Sequence, residues 1–374
     1  MKRLERKLEP ALIDWFFRGK VLVITGARQV GKTTMLSALM ANESLTLWLN
    51  CDETQVRERL ESLNINAYKS IIGNYKILVI DEVQRVKNAG LMLKLFADNF
   101  KSVQFIATGS SSLDIADSIF EPLTGRHLLF HLYPFSLSEL YADKSPFQIE
   151  QELPFHLVYG SYPEVCNERA DAELILKNLA NQYLYKDVLA WKDIRKPGLL
   201  DKLLKLLAYQ VGSEVSLHEL GRQLNVKSQT VETYIDILEK SFVIFRITPY
   251  SNNPRKEVVK MSKIYFWDNG IRNSVIHQFS PIAARNDLGQ LWENFMISER
   301  LKTNHYAKSD AKSYFWRSLN QSEVDYIEVD DDKIHAYEFK WGSQTKFSRA
   351  FLNFYPQAHT AIIQPQNFTD FCRV

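Results

Sequence analysis

The stretch Gly26-Ala-Arg-Gln-Val-Gly31-Lys32-Thr33 decides how the first part of this sequence folds. It fits the pattern G-x-x-x-x-G-K-[ST] at every fixed position, follows the apolar run Val21–Ile24 and leads into a helical pattern over residues 34–40. The glycines let backbone N–H groups close around phosphates, and the N-terminus of the following helix adds its dipole. Lys32 is expected to reach the β- and γ-phosphate oxygens, while Thr33 offers a hydroxyl to Mg²⁺. The sequence therefore predicts a site for ATP and Mg²⁺.

Five short apolar runs alternate with longer helical patterns between residues 20 and 140. The runs are Val21–Ile24, Thr46–Leu49, Ile77–Ile80, Val103–Ile106 and His127–Leu132. Because a parallel sheet flanked by helices requires this alternation, we predict an α/β fold with a doubly wound parallel sheet. The residues predicted to bind the nucleotide in this part are Gly26, Ala27, Arg28, Gln29, Val30, Gly31, Lys32, Thr33 and Thr34.

A carboxylate that holds the Mg²⁺ shell should follow a second apolar strand of such a sheet. Ile77–Ile80 is a strand of this kind, and Asp81 and Glu82 come directly after it. We predict that Asp81 binds the metal with its water shell and that Glu82 orients the attacking water. Glu82 and Lys32 are therefore candidate catalytic residues.

The composition limits the remaining possibilities. A chain of 374 residues exceeds what one hydrophobic core usually serves, so two or more domains are expected. The 46 basic and 44 acidic side chains give a net charge of +2, which excludes a bulk electrostatic footprint of a nucleic-acid binder. The three cysteines have neither disulfide nor zinc spacing, and no apolar stretch approaches the about 18 residues of a membrane helix. We expect a cytoplasmic protein with no membrane partner.

Three segments of the first 110 residues resemble the AAA+ ATPases, namely Gly26–Thr33, Ile77–Glu82 and Phe105–Ser110. Five more are similar to a widespread prokaryotic AAA+ family with a C-terminal domain of unknown function: Asp117–Arg126, Leu132–Glu139, Tyr159–Glu164, Tyr183–Val188 and Tyr265–Gly270. The resemblance implies a sensor at Ser110, with Thr108 as the alternate, and an arginine finger at Arg126. An arginine finger serves the γ-phosphate of a neighbouring subunit, which agrees with a homo-oligomer. A core salt bridge is the alternative role of Arg126.

The helical and strand patterns divide the chain into four predicted domains. These are an AAA+ core over residues 1–145, a helical lid over 146–197, a winged helix-turn-helix over 198–260 and a restriction-endonuclease-like α/β domain over 261–374. The expected function is Mg²⁺-dependent ATP hydrolysis that controls the last two domains, acting on DNA. The alternative is a nucleotide-gated protein-binding or signalling switch with slow hydrolysis and an inactive nuclease fold.

Two helical patterns joined by a turn at Asn225 are typical of a helix-turn-helix. The start of the second helix would carry Lys227, Ser228, Gln229 and Thr230, and a wing or loop would add Arg255, Lys256, Lys260 and Lys263. Three acidic residues on the same helix would oppose a phosphate backbone if they faced it, namely Glu232, Asp236 and Glu239. The sequence leaves two roles open, DNA binding on the one hand and packing or binding of a protein partner on the other.

Two alternating strands joined by a turn at Asp331-Asp332 are predicted between residues 323 and 341. If these two residues form the loop, Asp330 faces Lys333 on the opposite strand. Counting outward with the period of two that strands impose, the remaining pairs of the hairpin follow from this one. The sequence therefore predicts a definite register.

In that register Asp325 faces Glu338, with Lys340 on the same side. Like charges in opposed positions are destabilising, so the pair requires either a divalent metal or Lys340 between them. The spacing D-x₁₂-E-x-K resembles the PD-(D/E)xK nucleases, in which two carboxylates hold Mg²⁺ and the lysine assists the attacking water. A helix carboxylate would complete such a site, and Glu293 is slightly favoured over Glu299. A degenerate nuclease fold kept as an interaction module is the alternative.

Overall fold

The computed structural model describes residues 3–110, 122–183, 197–251, 262–318, 320–343 and 346–373. Their backbone contacts divide the chain into two compact units. The first contains Met1–Pro134 and Lys240–Phe242, and the second contains Phe135–Glu239 and Val243–Val374. The segments Asp117–Arg126 and Tyr183–Val188 lie partly outside the described residues, and Arg255, Lys256 and Lys260 lie outside them altogether.

A parallel sheet forms the centre of the first unit, in the order β2-β3-β4-β1-β5. Its strands are β1 (Val21–Thr25), β2 (Thr46–Asn50), β3 (Ile77–Asp81), β4 (Gln104–Gly109) and β5 (His127–His131). The central strands β1 and β4 are buried along their whole length, as expected where helices cover both faces of a sheet. All five predicted strands and their parallel arrangement are confirmed.

The helices of the first unit are α1 (Leu8–Ile13), α2 (Lys32–Leu39), α3 (Thr54–Glu61), α4 (Ile65–Ile72) and α5 (Ala89–Asn99). Helix α2 begins directly after Gly31, whose φ of +92° is a left-handed conformation that glycine adopts without steric cost. The aromatic rings of Tyr68, Phe96 and Phe105 pack α4 and α5 onto β4, with ring centroids 4.5 and 4.8 Å apart. These rings belong to one buried cluster that also contains Leu78 and Ile80 of β3.

The second unit contains most of the helices. From residue 137 onward they are α6 (Leu137–Leu140), α7 (Pro146–Tyr159), α8 (Pro163–Asn167), α9 (Ala172–Tyr183), α10 (Pro197–Tyr209), α11 (Leu217–Leu224), α12 (Ser228–Lys240), α13 (Asn269–Val275), α14 (Leu288–Tyr306), α15 (Arg349–Phe354) and α16 (Phe368–Cys372). Helix α7 starts in a capping box, in which the Ser145 and Gln148 side chains bond each other's backbone N–H, with proline at the first helical position.

A seven-stranded sheet runs through the second unit in the order β12-β11-β10-β9-β7-β8-β6. Its strands are β6 (Glu214–Val215), β7 (Ile244–Pro249), β8 (Ser262–Phe266), β9 (Lys312–Arg317), β10 (Glu323–Asp330), β11 (Lys333–Phe339) and β12 (His359–Ile363). Strand β7 pairs antiparallel with β8 and parallel with β9. The predicted boundary at residue 260 therefore falls between two paired strands of one sheet, and the sheet is not divided there. The other predicted boundaries stay predictions.

The hairpin of β10 and β11 has the predicted register. Asp330 pairs with Lys333, and the pairing continues to Tyr326 and Tyr337, one position short of the two carboxylates. Asp331 and Asp332 have φ angles of +44° and +66°, which is the left-handed pair that a two-residue type I′ turn requires. The turn chemistry thus sets the register, as the sequence indicated.

Two segments singled out by the sequence meet in the second unit. Gly160 ends α7 at φ +72°, and the Asp268 carboxylate accepts a hydrogen bond of 2.7 Å from the backbone N–H of Ser161. A Cβ at Gly160 would lie 2.1 Å from Asp268 Oδ1, and one at Gly270 would lie 2.2 Å from the Tyr159 carbonyl oxygen. Both glycines are therefore required by close approach of the two segments.

Replacement of Gly160 by alanine is expected to destabilise the protein by about 2 to 4 kcal/mol, because it adds overpacking to backbone strain. Thermal and urea unfolding measure the effect. Gly289→Ala is the matched control, since its Cβ has no neighbour within 4 Å in the first turn of α14. Equal stability of the Gly160→Ala and Gly289→Ala variants would contradict the close approach.

Candidate active site

The loop between β1 and α2 surrounds the ammonium group of Lys32. This side chain is buried and donates hydrogen bonds of 2.8 Å to the carbonyl oxygens of both Gly26 and Ala27. A Cβ at Gly26 would lie 2.1 Å from the carbonyl oxygen of Leu132, so only glycine fits where the loop leaves β1. The cation is therefore placed inside the loop at the N-terminus of a helix, where phosphate oxygens bind best.

The predicted metal-binding residues lie side by side. Thr33 Oγ1 donates a hydrogen bond of 3.0 Å to Asp81 Oδ2, which brings the start of α2 to the end of β3. A hydroxyl and a carboxylate at this separation can share the coordination shell of one Mg²⁺ ion, whose preferred ligands are oxygens. These two residues fit the metal that the sequence predicts.

Thr108, not Ser110, is the β4 residue that contacts Asp81. Its hydroxyl donates to Asp81 Oδ1 and accepts a hydrogen bond of 3.2 Å from the backbone N–H of Glu82. Ser110 is buried two residues further along the chain, and its hydroxyl accepts a hydrogen bond from Gln84 instead. The alternate sensor position is thus the one that touches the predicted metal ligand, because the register that pairs Ile80 with Ala107 puts Thr108 beside Asp81.

Glu82 has an unusual backbone. Its φ of +53° lies in the left-handed region, which costs a non-glycine residue on the order of 1 to 3 kcal/mol. This conformation turns the chain sharply out of β3 into the 3₁₀ turn Val83–Arg85, where Val83 is fully buried. Strain of this kind persists where the surrounding structure enforces it, and it is common at active sites.

Arg126 forms a surface ion pair. Its Nε lies 2.6 Å from Asp98 Oδ1, and both side chains are 41% exposed. The ion pair therefore lies at the surface and is not the core salt bridge that was the alternative role. The carbonyl oxygen of Arg126 accepts a hydrogen bond from the N–H of Val21, at the start of β1. The phosphate loop follows the other end of that strand, so Arg126 cannot reach the phosphate site of its own subunit.

Arg6 is a site residue that sequence analysis missed. Its buried guanidinium donates hydrogen bonds of 2.7 Å to the carbonyl oxygens of Val30, in the phosphate loop, and Tyr133, after β5. The charged sequence Met1–Lys7 gave no indication of this contact, which depends on distant segments meeting. Arg6 ties the phosphate loop to the segment that leaves the first unit.

Lys340 lies between the two opposed carboxylates of the C-terminal hairpin. Its ammonium is 3.4 Å from Asp325 Oδ2 and 3.5 Å from Glu338 Oε2. Backbone N–H groups also bind both acids, at 2.8 Å from Phe339 and 2.9 Å from Ser348. Lys340 is therefore a cation that relieves the repulsion between the two acids.

The sequence predicted Lys263 to be part of a basic wing or loop. In the structure it is a buried cation instead. It is 1% exposed, lies 3.1 Å from Glu293 Oε1 and also pairs with Glu323. Burial alone would lower the pKa of Lys263, but the carboxylates of Glu293, Glu323 and Asp325 raise it, so the ammonium stays charged. Lys263 is the second residue of β8, and it is buried like the three residues that follow it in this strand.

Glu293 belongs to this group and Glu299 does not. The Tyr265 hydroxyl donates to Glu293 at 2.6 Å, whereas Glu299 pairs with Lys302 at 2.7 Å and accepts from the Leu137 N–H. Burial raises the pKa of Glu293 to about 7; Lys263 opposes this shift and Asp325 adds to it. Glu293 is thus close enough to Asp325 for the two charges to interact, and its role as the helix carboxylate of a nuclease-like site stays a prediction.

The carboxylates of this C-terminal cluster lie close to two lysines. Among the residues that the structure describes, no group of three or more His, Cys, Asp or Glu side chains is placed to hold a metal ion. Lys263 and Lys340 instead neutralise the acids. A metal site at Asp325, Glu338 and Glu293, and the DNA cleavage that it would serve, stay predictions.

The predicted recognition helix exposes its first residues. Lys227, Ser228 and Gln229 are exposed before and in the first turn of α12, and Thr230 is half-buried. Arg246 on β7 lies 2.6 Å from both Asp236 and Glu239, so these acids are paired. The acidic charge that opposed a DNA backbone is thereby reduced.

Comparison with known proteins divides the chain into three matched regions. Residues 18–141 match the AAA domain family. This match and the parallel sheet of the first unit fit a P-loop AAA fold. Residues 150–281 match a domain of unknown function, DUF8612, and residues 288–370 match another, DUF4143. The comparison therefore supports an ATPase and leaves the winged-helix and nuclease-like interpretations as predictions.

Two similar proteins, both named as uncharacterized, match most of this chain. One from Mycobacterium tuberculosis is 26% identical over 339 residues, covering 89% of this chain and 73% of that protein. One from Methanocaldococcus jannaschii is 28% identical over 320 residues, covering 74% of this chain and 66% of that protein. The solved Walker-type ATPase of Pyrococcus abyssi is 18% identical with a TM-score of 0.47, covering 73% of this chain and 94% of that one. None of the helices in the described ranges has the length and apolarity needed to cross a bilayer.

Glu293→Gln is expected to flatten the dependence of stability on pH. Between about pH 4.5, where glutamate ionises in the unfolded chain, and about 7, the folded protein binds more protons, so raising the pH favours unfolding. From pH ~5 to pH ~8 the variant should lose less free energy of unfolding than wild type, by on the order of 1 to 2 kcal/mol. Urea unfolding at both pH values measures this, with exposed Glu150→Gln as control. Parallel pH profiles of wild type and Glu293→Gln would disprove it.

Proposed function

We propose that this protein is an ATPase that depends on Mg²⁺ and whose nucleotide state controls the second unit. The observation that carries the proposal is the Thr33–Asp81 hydrogen bond beside the buried Lys32, which places both metal-binding residues next to the phosphate loop. The match of residues 18–141 to the AAA domain family supports ATP binding and hydrolysis. Control of the second unit rests on the covalent continuity of the chain after Tyr133.

The residues of the site have separate roles in hydrolysis. Lys32 and the loop N–H groups bind the β- and γ-phosphates, and Thr33 with Asp81 holds the Mg²⁺ that neutralises their charge. Glu82 accepts a proton from the attacking water. The water oxygen bonds to the γ-phosphorus while the bond between the γ-phosphorus and the bridging oxygen breaks. Thr108 fixes the Asp81 carboxylate.

Arg126 makes a homo-oligomer part of the proposal. It lies at the end of β1 opposite the phosphate loop, is partly exposed, and can therefore serve only the nucleotide of a neighbouring copy. Because Asp98 is equally exposed, the ion pair between Arg126 and Asp98 adds little free energy. Arg126 can therefore exchange this carboxylate for a phosphate oxygen at little cost.

Glu82→Gln should lower the rate of ATP hydrolysis by about 10²- to 10⁴-fold, because the general base is lost, and leave ATP binding intact. Lys32→Ala should remove binding as well. Phosphate release measures turnover, and a fluorescent ATP analogue measures affinity. The exposed Glu58→Gln should behave as wild type. Turnover by Glu82→Gln at the wild-type rate, or no turnover by wild type under conditions that allow oligomers, would refute the proposal.

DNA binding by the second unit is a further candidate. Two observations favour it. Arg246 pairs with Asp236 and Glu239, and Lys227, Ser228 and Gln229 are exposed at the start of α12. A helix-turn-helix binds bases or phosphates with this part of its second helix. The rival is a nucleotide-gated switch that binds a protein partner through the same surface.

Lys227→Gln should weaken binding of duplex DNA uniformly across sequences and reduce the slope of log affinity against log salt by about 1. Fluorescence anisotropy over a salt series, with and without ATP, measures both. The exposed Lys202→Gln on α10 is the control. If wild type binds no DNA, the protein-binding switch is the remaining candidate.

A further inference from the structure

Gln84 lies in the 3₁₀ turn that follows β3, two residues beyond Glu82. Val83 anchors this turn because it is fully buried in the core of the first unit. The side chain of Gln84 therefore starts from a fixed backbone position beside the candidate general base.

The amide of Gln84 joins the ends of β3 and β4. Its Nε2 donates to Glu82 Oε2 and, at 3.1 Å, to the hydroxyl of Ser110. An ionised carboxylate can only accept, so the amide atom that faces Glu82 must be the NH₂ group. This fixes which end of the amide is the carbonyl.

The carbonyl oxygen of Gln84 is buried and accepts no hydrogen bond from the residues that the structure describes. A buried acceptor without a donor costs about 1 to 3 kcal/mol, so such an atom in an active site calls for a donor from outside the protein. At the edge of the sheet where hydrolysis is proposed, the donor of matching chemistry is water.

We propose that Gln84 is a positioning residue for hydrolysis: its NH₂ group fixes the Glu82 carboxylate, and its free carbonyl orients the water that Glu82 deprotonates. This deepens the proposed function and rests on it. The water donates one O–H to Glu82 and the other to Gln84 Oε1, which leaves an oxygen lone pair for the γ-phosphorus. Glu82 takes the transferred proton, the new P–O bond forms, and the electron pair of the broken bond stays on the bridging oxygen of ADP. Gln84 neither gains nor loses a proton in this step.

Gln84→Met tests the positioning role, since methionine has a similar length and no amide. We expect the kcat for ATP to fall about 10- to 100-fold, a part of what a general base contributes, with KM and the affinity for a fluorescent ATP analogue changed less than about threefold. Gln55→Met, an exposed glutamine on α3, is the matched control. A kcat of Gln84→Met within twofold of wild type would overturn the inference.

Gln84→Glu gives a readout that a purely structural role would not move. Its carboxylate would lie against that of Glu82, and a like charge disfavours ionisation. The acid limb of the pH–rate profile should shift upward by about one pH unit, whereas a structural defect would lower the rate at every pH. This variant decides the matter if Gln84→Met fails to fold, and an unmoved acid limb would overturn the inference. Absence of turnover in wild type would instead refute the ATPase itself.

Discussion

The contact between Thr33 and Asp81 depends on one constraint, that all strands of the first sheet run parallel. Parallel strands end at the same edge, so the segments that follow β1, β3 and β4 meet there. Those segments carry the phosphate loop, the two acidic residues and Thr108. Because β4 lies between β1 and β3, its hydroxyl residue is placed directly against Asp81. An antiparallel strand at any of these positions would send one member of the site to the opposite edge.

In the second unit, charged side chains that are buried or half-buried form ion pairs with one another. Lys263, Lys340 and Lys302 each neutralise carboxylates within the protein, and Arg300 forms a bidentate pair with Glu328 at 2.8 and 2.6 Å. Ion pairs of this kind add little net stability, since desolvation offsets their attraction, but removing one partner leaves a costly unpaired charge. The pairs Lys263–Glu293 and Arg300–Glu328 join α14 to strands, and they therefore specify how the helix lies against the sheet more than how strongly it is held.

Some of these features could be predicted from the sequence because they depend on local rules. The phosphate loop and Asp81 follow from fixed spacing, and the register of β10 and β11 follows from a two-residue turn and a period of two. Other features depend on segments far apart in the sequence. The contacts of Arg6, the preference for Thr108 over Ser110 and the burial of Lys263 each require knowing which strands are neighbours. A single sequence contains no signal for that.

The continuity of the seven-stranded sheet has a consequence for how the protein can be dissected. A fragment starting at residue 261 would keep β9 but lose β7, its neighbour on one side. Strand β8 would lose both of its partners, β6 and β7. Unpaired strand edges recruit strands from other molecules, so such a fragment would aggregate. The region matched by DUF4143, residues 288–370, contains β9 to β12 but not β6, β7 and β8 of the same sheet, so a fragment meant to keep this sheet whole must also include the strands that precede the match.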